Sequence, residues 1–173
     1  MSPTAPSVGR RVLLATALLL PATFAGACSV VGEDGCHGTA AELRRLAEQP
    51  LLASAPTGAS APANYRGVGV TTGCDDDSSG PPWLHADRLY AFSGGPDDVL
   101  AHYTKTAAAA GWLVRRTAAR VSETCWTRTE QGRHLLLDVD LRPTGFSPEP
   151  ETGTGFAYSV SIGTGRDGGE ESC

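Results

Sequence analysis

The spacing of apolar residues changes from helical to strand-like at Gly111, and this change constrains the fold most strongly. Upstream of it, five apolar residues recur at helical spacing: Val99, Leu100, Tyr103, Ala107 and Ala110. They predict an amphipathic helix over residues 96–110, with Pro96 in its first turn. Gly111 is placed to adopt a left-handed C-terminal conformation, so that Trp112 folds back onto the apolar stripe.

The rest of the chain has the signals of β-strands. Downstream of the helix, apolar residues recur at every second position, and upstream of it β-branched and aromatic residues are clustered. Strands are predicted over residues 65–72, 88–93, 112–121, 125–129, 134–142 and 156–162. Alternation of this kind predicts an antiparallel sheet with one side in water, and the stripe of the helix covers the other side.

The predicted fold class is therefore α+β, an antiparallel sheet of five or six strands with one main helix on one face and a short N-terminal helix. The short helix is predicted over residues 40–48, where Thr39 and Glu42 have the spacing of a capping box. Residues 53–63 are small residues and prolines, so they predict a loop. A turn over residues 130–133 joins two of the strands into a hairpin.

The first 28 residues have the organisation of an export signal. Arg10 and Arg11 precede a nine-residue apolar run over residues 12–20, and small residues then lead into Cys28. A helix that spans a bilayer needs about 20 apolar residues, so the run fits an export signal better than a single-pass anchor. The paired arginines also suggest twin-arginine export, although the residues that flank them match that signal poorly.

Residues 25–28 read Ala-Gly-Ala-Cys and resemble the lipobox of bacterial lipoproteins, Leu-(Ala/Ser)-(Gly/Ala)-Cys. The resemblance implies that residues 1–27 are removed and that the Cys28 sulfur receives a diacylglyceryl group. Ala25 departs from the pattern, which has leucine there. The alternative is ordinary secretion, with cleavage after Ala-Gly-Ala.

The lipobox resemblance implies a location on the extracytoplasmic face of the cell membrane, because two acyl chains hold a protein there stably. Residues 28–35 would be the lipidated cysteine and a tether that reaches at most about 25 Å. The order strand, strand, helix and strand meander also resembles small actinobacterial lipoproteins of unassigned role, over most of residues 36–165. A single domain is expected there, followed by a tail over residues 166–173.

The charge composition limits the partners. The 173 residues carry 14 basic and 19 acidic side chains, a net charge of −5. This balance argues against nucleic acid, because phosphate binding needs a basic face. The lipobox resemblance implies the membrane as a partner, through the diacylglyceryl anchor. A membrane protein, an envelope polymer or a small ligand is the expected further partner, and no cofactor is expected.

With Cys28 assigned to the lipid, the remaining cysteines are Cys36, Cys74, Cys125 and Cys173. An even number of cysteines in an exported chain predicts two disulfides. Of the three connectivities we favour Cys74 with Cys125, which lie at predicted strand ends, and Cys36 with Cys173. Zinc is disfavoured, because the sequence has no CxxC or HxxxH pair.

The acidic loop after Cys74 suggests a calcium site. Asp75, Asp77 and Ser79 lie at alternate positions and Gly80 follows, as at the start of an EF-hand loop. Ala86 stands where that loop requires a bidentate glutamate. A solvated acidic loop is therefore favoured over a calcium-responsive module, and no metal is assigned.

A second acidic pattern suggests acid–base chemistry. Asp138 and Asp140 lie on the predicted wet side of a strand, about 6–7 Å apart, together with His134 and Arg142. That separation is compatible with a hydrolase that uses paired carboxylates on envelope material. Alternating charge is also the ordinary pattern of a solvated strand, and the sequence has no G-x-S-x-G or S-x-x-K motif.

Two tryptophans are candidates for a binding surface. Trp83 follows two prolines in a predicted loop, and Trp126 lies beside Cys125. Exposed aromatic rings offer a large contact area, although packing on a disulfide is the favoured alternative for Trp126. The leading hypothesis is a lipid-anchored envelope protein with a non-catalytic binding or support role, and the hydrolase is its rival.

Overall fold

A computed structural model of the chain describes residues 36–76, 80–115 and 123–170. The predicted signal peptide, Cys28 and the tether lie outside the described residues. So do Asp77, Ser79 and Cys173.

The described chain forms three α-helices and six strands. The helices are α1 (Ala40–Ala47), α2 (Pro50–Ala53) and α3 (Pro96–Ala109). The strands are β1 (Thr71–Asp75), β2 (Trp83–Phe92), β3 (Leu113–Arg115), β4 (Glu123–Glu130), β5 (Arg133–Asp140) and β6 (Phe156–Gly165). All neighbouring strands are antiparallel, in the order β1-β2-β6-β5-β4-β3. The predicted α+β fold is confirmed.

One side of the sheet packs against the helices and forms the core. On β5 the alternation follows the prediction, with Leu135, Leu137 and Val139 buried and the residues between them only half-buried. The stripe of α3 contributes buried residues to the same cluster: Val99, Tyr103 and Ala107. Full burial of a large apolar side chain contributes about 1.5–3 kcal/mol, so this face supplies most of the driving force for folding.

The predicted strand over residues 65–72 is wrong over most of its length. A 3-10 helix occupies Ala63–Tyr65, and the sheet begins only at Thr71. The ring of Tyr65 packs edge-on against Phe146, 5.9 Å between ring centroids, and its hydroxyl donates to the Pro148 carbonyl. The backbone of Gly67, at φ +89°, turns the chain before the β-branched residues reach the sheet.

Strand β2 begins earlier than predicted. It pairs with β6 along all ten of its residues, from Trp83 opposite Gly165 to Phe92 opposite Phe156. Trp83 therefore lies in a strand and not in a loop. The pairing of β2 depends on a strand about 70 residues away, so local sequence could not fix where β2 starts.

The capping box predicted at the start of α1 is wrong. The Thr39 hydroxyl donates to the Cys36 carbonyl at 2.8 Å, and the first turn of α1 has no side-chain cap within the described structure. The Glu42 carboxylate is bound by two arginines instead, Arg45 at 2.5 Å and Arg133 at 3.1 Å. The Glu42 side chain therefore forms ion pairs and does not cap the helix.

The favoured disulfide connectivity is also wrong, because Cys74 pairs with Cys36. Helix α1 packs against β1 and β2, which brings Cys36, in the turn before α1, to 6.0 Å from Cys74, Cα to Cα. Cys125 lies on β4, four strands away from β1, or about 19 Å at the usual strand spacing. A disulfide spans less than about 7 Å. Cys125 is disulfide-bonded as well.

The predicted end of α3 is confirmed. Gly111 has φ +78°, and the Trp112 backbone N–H donates to the Ala107 carbonyl at 3.0 Å. The Trp112 side chain is only 3% exposed and belongs to the core. The left-handed residue thus reverses the chain so that an aromatic ring closes over the helix stripe.

We expect Gly111→Ala to lower the free energy of unfolding by about 1 kcal/mol, because alanine is strained at positive φ. Gly69→Ala is the matched control, since Gly69 has an ordinary φ. In the described structure a Cβ atom added at either glycine meets nothing within 4 Å, so only backbone conformation differs. Urea unfolding measures both changes; equal losses would contradict the role of φ at Gly111.

Candidate functional site

The side of the sheet opposite the helices carries most of the polar side chains that could act on a ligand. We call it the polar face, and its central residues are Trp83, His85 and Asp87 on β2, Ser159, Ser161 and Gly163 on β6, and Asp138 and Asp140 on β5. The residues of β6 on this face are small, whereas those of β2 and β5 are larger. The polar face is therefore a shallow strip along β6, bordered by side chains of the two neighbouring strands.

The register of the sheet places two carboxylates on either side of Ser161. Asp87 of β2 and Asp138 of β5 are both Cα partners of that residue. Because neighbouring strands lie about 4.8 Å apart, the two backbones are about 10 Å apart across the strip. Sequence analysis identified Asp138 but missed Asp87, because the predicted second strand began one residue after it.

His85 lies between two carboxylates. Its Nδ1 hydrogen-bonds to Oδ2 of Asp87 at 2.5 Å, and its Nε2 lies 3.4 Å from Oδ2 of Asp75 on β1. The imidazole covers Gly73, where an added Cβ atom would lie 2.3 Å from Nε2. Strand β1 therefore needs a glycine at this position to let the ring reach both carboxylates.

The pKa of His85 is raised above its ordinary value of 6.5. The largest cause is the hydrogen bond to Asp87, which outweighs the opposing effect of burial, and the negative charges of Asp87 and Asp75 add to it. The imidazolium form is thus favoured, with each ring nitrogen facing a carboxylate. A histidine in this state is a poor general base, because its lone pair carries a proton.

The orientation of the ring does not match a Ser–His–Asp triad. In a triad the nitrogen opposite the aspartate faces the serine hydroxyl. Here Nε2 of His85 lies over Gly73 on the β1 side, whereas Ser161 belongs to β6 on the other side of β2. His85 and Ser161 are neighbours on the polar face but do not form a nucleophile–base pair.

The two predicted binding tryptophans have different surroundings. The half-buried indole of Trp83 covers Gly163, where an added Cβ atom would lie 2.1 Å from Cζ2. Trp126 is completely buried on the core side, which excludes the exposed alternative and agrees with the favoured prediction that its ring is packed. It is the register partner of Leu137. The predicted hairpin turn already implied that pairing, so the sequence contained the signal for its burial.

The other residues predicted beside Asp138 are spread along β5. Asp140 accepts a hydrogen bond from the Arg142 backbone N–H at 2.8 Å, which closes the turn after the strand. His134 lies near the opposite end of β5, 3.4 Å from the Thr129 hydroxyl. The carboxylate of Asp140 thus has a structural partner at the end of the strand.

The calcium hypothesis rests on a loop that is only partly described. Asp75 ends β1 with its side chain 74% exposed and faces His85, while Asp77 and Ser79 lie outside the described residues. Among the described side chains, no group of three or more His, Cys, Asp or Glu residues could hold a metal ion. The contact that the structure does give Asp75 is with an imidazole.

Comparison of the chain with protein-family models, with curated proteins and with solved structures finds no match. None of the helices in the described ranges is long and apolar enough to cross a membrane.

We expect Asp87→Asn to destabilise the protein more at pH 6 than at pH 9, by about 1 kcal/mol at most. Because the pKa of His85 is raised in the folded state, its ion pair stabilises the fold fully below pH 6.5. This stabilisation is lost as the pH rises through the raised pKa. Urea unfolding at both pH values measures the difference. NMR titration of the imidazole should show a lower pKa in the variant.

Glu149→Gln is the control for Asp87→Asn. It removes an exposed carboxylate on the connection between β5 and β6, so its effect should be the same at both pH values. A pH-independent cost of Asp87→Asn, or an unchanged pKa of His85, would contradict the ion pair.

Proposed function

We propose that this protein is a lipoprotein of the cell envelope, anchored on the extracytoplasmic face of the membrane by a diacylglyceryl group on Cys28. Its α+β domain has a non-catalytic binding or support role there. The polar face is the surface that meets the partner, which is a membrane protein, an envelope polymer or a small ligand.

The Cys36–Cys74 disulfide is the observation that most supports this proposal. Disulfides persist in oxidising compartments, and each of the three described cysteines is in one. The bond also joins the residue that follows the proposed tether to strand β1. The segment that leads from the proposed tether into the domain is therefore covalently fixed to the sheet.

A binding role is favoured over catalysis by the chemistry of the polar face. The ring nitrogens of His85 both face carboxylates, and Asp140 accepts a backbone hydrogen bond. Catalysis by the rival hydrolase would need a carboxyl group poised to exchange a proton with substrate. A shallow strip with a half-buried tryptophan, hydroxyl groups and carboxylates instead suits the recognition of polar groups.

The anchor is tested by cell fractionation and by the intact mass of the membrane-extracted protein. We expect the wild type in the membrane fraction, with the mass of a diacylglyceryl group on Cys28, and at least about tenfold less Cys28→Ser there, because the variant has no lipid to insert. Ser29→Ala is the control and should fractionate as the wild type does. A free Cys28 thiol, or Cys28→Ser that stays with the membrane, would refute the anchor.

The polar face is tested by cross-linking in cells. Ser161→Lys places a long cation on the floor of the strip, and we expect it to reduce recovery of the cross-linked neighbour at least about tenfold, because it blocks the contact surface. Thr104→Lys makes the same change on the exposed side of α3 and should leave recovery unchanged. Both variants should keep the melting temperature of the wild type.

Two results would contradict the binding role. Equal recovery with Ser161→Lys and Thr104→Lys would exclude the polar face as the contact surface. Release of soluble fragments from purified envelopes, lost in Asp138→Asn and Asp140→Asn, would establish the hydrolase instead.

A further inference from the structure

A serine and a histidine form a close pair on the helical side of the sheet, away from the polar face. Ser54 directly follows α2, and His102 lies in the middle of α3, which packs against α2. The Oγ atom of Ser54 lies 2.9 Å from Nε2 of His102, within hydrogen-bond distance. Both residues are half-buried. A hydroxyl in contact with an imidazole nitrogen is the arrangement that activates serine nucleophiles.

The backbone that carries the hydroxyl is held from several sides. The Ser54 N–H donates to the Pro50 carbonyl at 3.1 Å, and the Ser54 carbonyl accepts a hydrogen bond from the hydroxyl of Tyr103. Two residues earlier, the Leu52 carbonyl accepts one from the Tyr90 hydroxyl at 2.6 Å. Tyr90 and Tyr103 are both core residues. A nucleophile fixed in this way needs little reorganisation to reach its base and its substrate.

The surroundings of His102 favour the neutral imidazole. Burial lowers its pKa below the ordinary value of 6.5, and the positive charge of Lys105 on α3 lowers it further. The ring packs edge-on against Tyr103, 5.0 Å between ring centroids, and burial raises the pKa of that hydroxyl, so it carries no charge. The segment that carries Ser54 adds none, because residues 50–63 contain no charged side chain. With its proton on Nδ1, the imidazole can accept the Ser54 hydroxyl hydrogen at Nε2.

A backbone donor is available next to the serine. The N–H of Ala55 has no hydrogen-bond acceptor among the described residues. In serine hydrolases the N–H of the residue after the nucleophile often stabilises the oxyanion that forms during acyl transfer. No carboxylate in the described ranges contacts His102, so the pair is a dyad without the third member of a Ser–His–Asp triad. We therefore expect slower turnover than that of a full triad.

We infer that Ser54 is a nucleophile activated by His102 and that this pair hydrolyses carboxylic esters with a small, uncharged acyl group. The residues on either side of the serine, Ala53 and Ala55, present neither bulk nor charge to such a group. This inference goes beyond the proposed function, because it gives the domain a reaction on the side of the sheet opposite the polar face. It rests on neither the anchor nor the polar face, so its test can fail while theirs succeed.

The reaction proceeds through an ester on Ser54. The Oγ atom forms a bond to the acyl carbon while its proton passes to Nε2 of His102. The bond between the acyl carbon and the alcohol oxygen then breaks, and Nε2 gives that oxygen the proton. Water attacks the acyl carbon next and gives a proton to Nε2; the bond to Oγ breaks, Oγ takes that proton, and the carboxylic acid leaves. One ester and one water thus yield one alcohol and one acid, with no other reactant.

The first test labels the full-length protein, in a nonionic detergent, with a fluorophosphonate, which forms a bond to an activated serine and releases fluoride. We expect peptide mapping to find the phosphonate on Ser54 of the folded protein, and no label after unfolding in urea. Ser54→Ala should abolish labelling. Ser60→Ala is the matched control, since Ser60 is an exposed serine of the same segment, and it should be labelled as the wild type is.

The second test removes the base. His102→Gln can still accept the Ser54 hydrogen bond but takes up no proton, so labelling and the hydrolysis of p-nitrophenyl acetate should slow at least about 100-fold. His37→Gln replaces an exposed histidine and should leave both rates unchanged. Labelling of the wild type should also slow as the pH falls below 6.5 and His102 takes up a proton, which tests the base without a substitution.

The inference is overturned if the folded wild type takes no label, or if the label lies on a residue other than Ser54. It is also overturned if His102→Gln is labelled as fast as the wild type, because the contact would then only join α2 to α3. Should His102→Gln fail to fold, the pH dependence of the wild type decides, and a labelling rate that does not fall below pH 6.5 would contradict the base.

Discussion

The insertion of β6 between β2 and β5 is the interaction on which the rest of the structure depends. The strand nearest the C-terminus pairs with β2 along ten residues and with β5 along five. Its core side supplies Tyr158, which stacks on Tyr90 with ring centroids 5.2 Å apart, and its other side supplies the floor of the polar face. The core and the candidate site are therefore two sides of one strand, and both depend on pairings between residues far apart in the sequence.

Two rings of β2 pack closely over glycines of the neighbouring strands, and these contacts shape the polar face. Trp83 covers Gly163 on β6, and His85 covers Gly73 on β1, each at a distance that excludes a Cβ atom. The rings of two β2 side chains thus pack against the backbones of the two neighbouring strands. Glycines on those strands allow this contact, so each ring is partly buried although it lies on the solvent side of the sheet. The same arrangement aims the nitrogens of His85 at carboxylates and away from Ser161.

The parts of the fold that sequence analysis predicted are those set by neighbouring residues. Helix α3 has Pro96 in its first turn and Gly111 after its end, and both signals act locally. The hairpin between β4 and β5 turns at Gln131 and Gly132, both at positive φ, as its predicted turn requires. The disulfide pairing and the start of β2 depend on which strands become neighbours, so no local signal contained them. His85 and Asp87 were missed for the same reason.

Around the start of the predicted loop over residues 53–63, burial fixes a chain path that short-range sequence patterns do not predict. Leu51 and Leu52, which precede the predicted loop, form a turn of helix in the core. The carbonyls of Leu52 and of Ser54, at the start of that loop, accept hydrogen bonds from the hydroxyls of the buried residues Tyr90 and Tyr103. A buried hydroxyl without a partner would cost about 1–3 kcal/mol, so the loop has a fixed path.

Strand β1 links the Cys36–Cys74 disulfide to the candidate site. Cys74 holds the disulfide on the core side, and its neighbours Gly73 and Asp75 meet His85 on the polar side. A five-residue strand at the edge of the described sheet gains little stability from pairing alone. The covalent bond on one side and the imidazole on the other therefore determine its position together. It follows that the disulfide to Cys36 and the charged centre of the polar face are coupled through three consecutive residues.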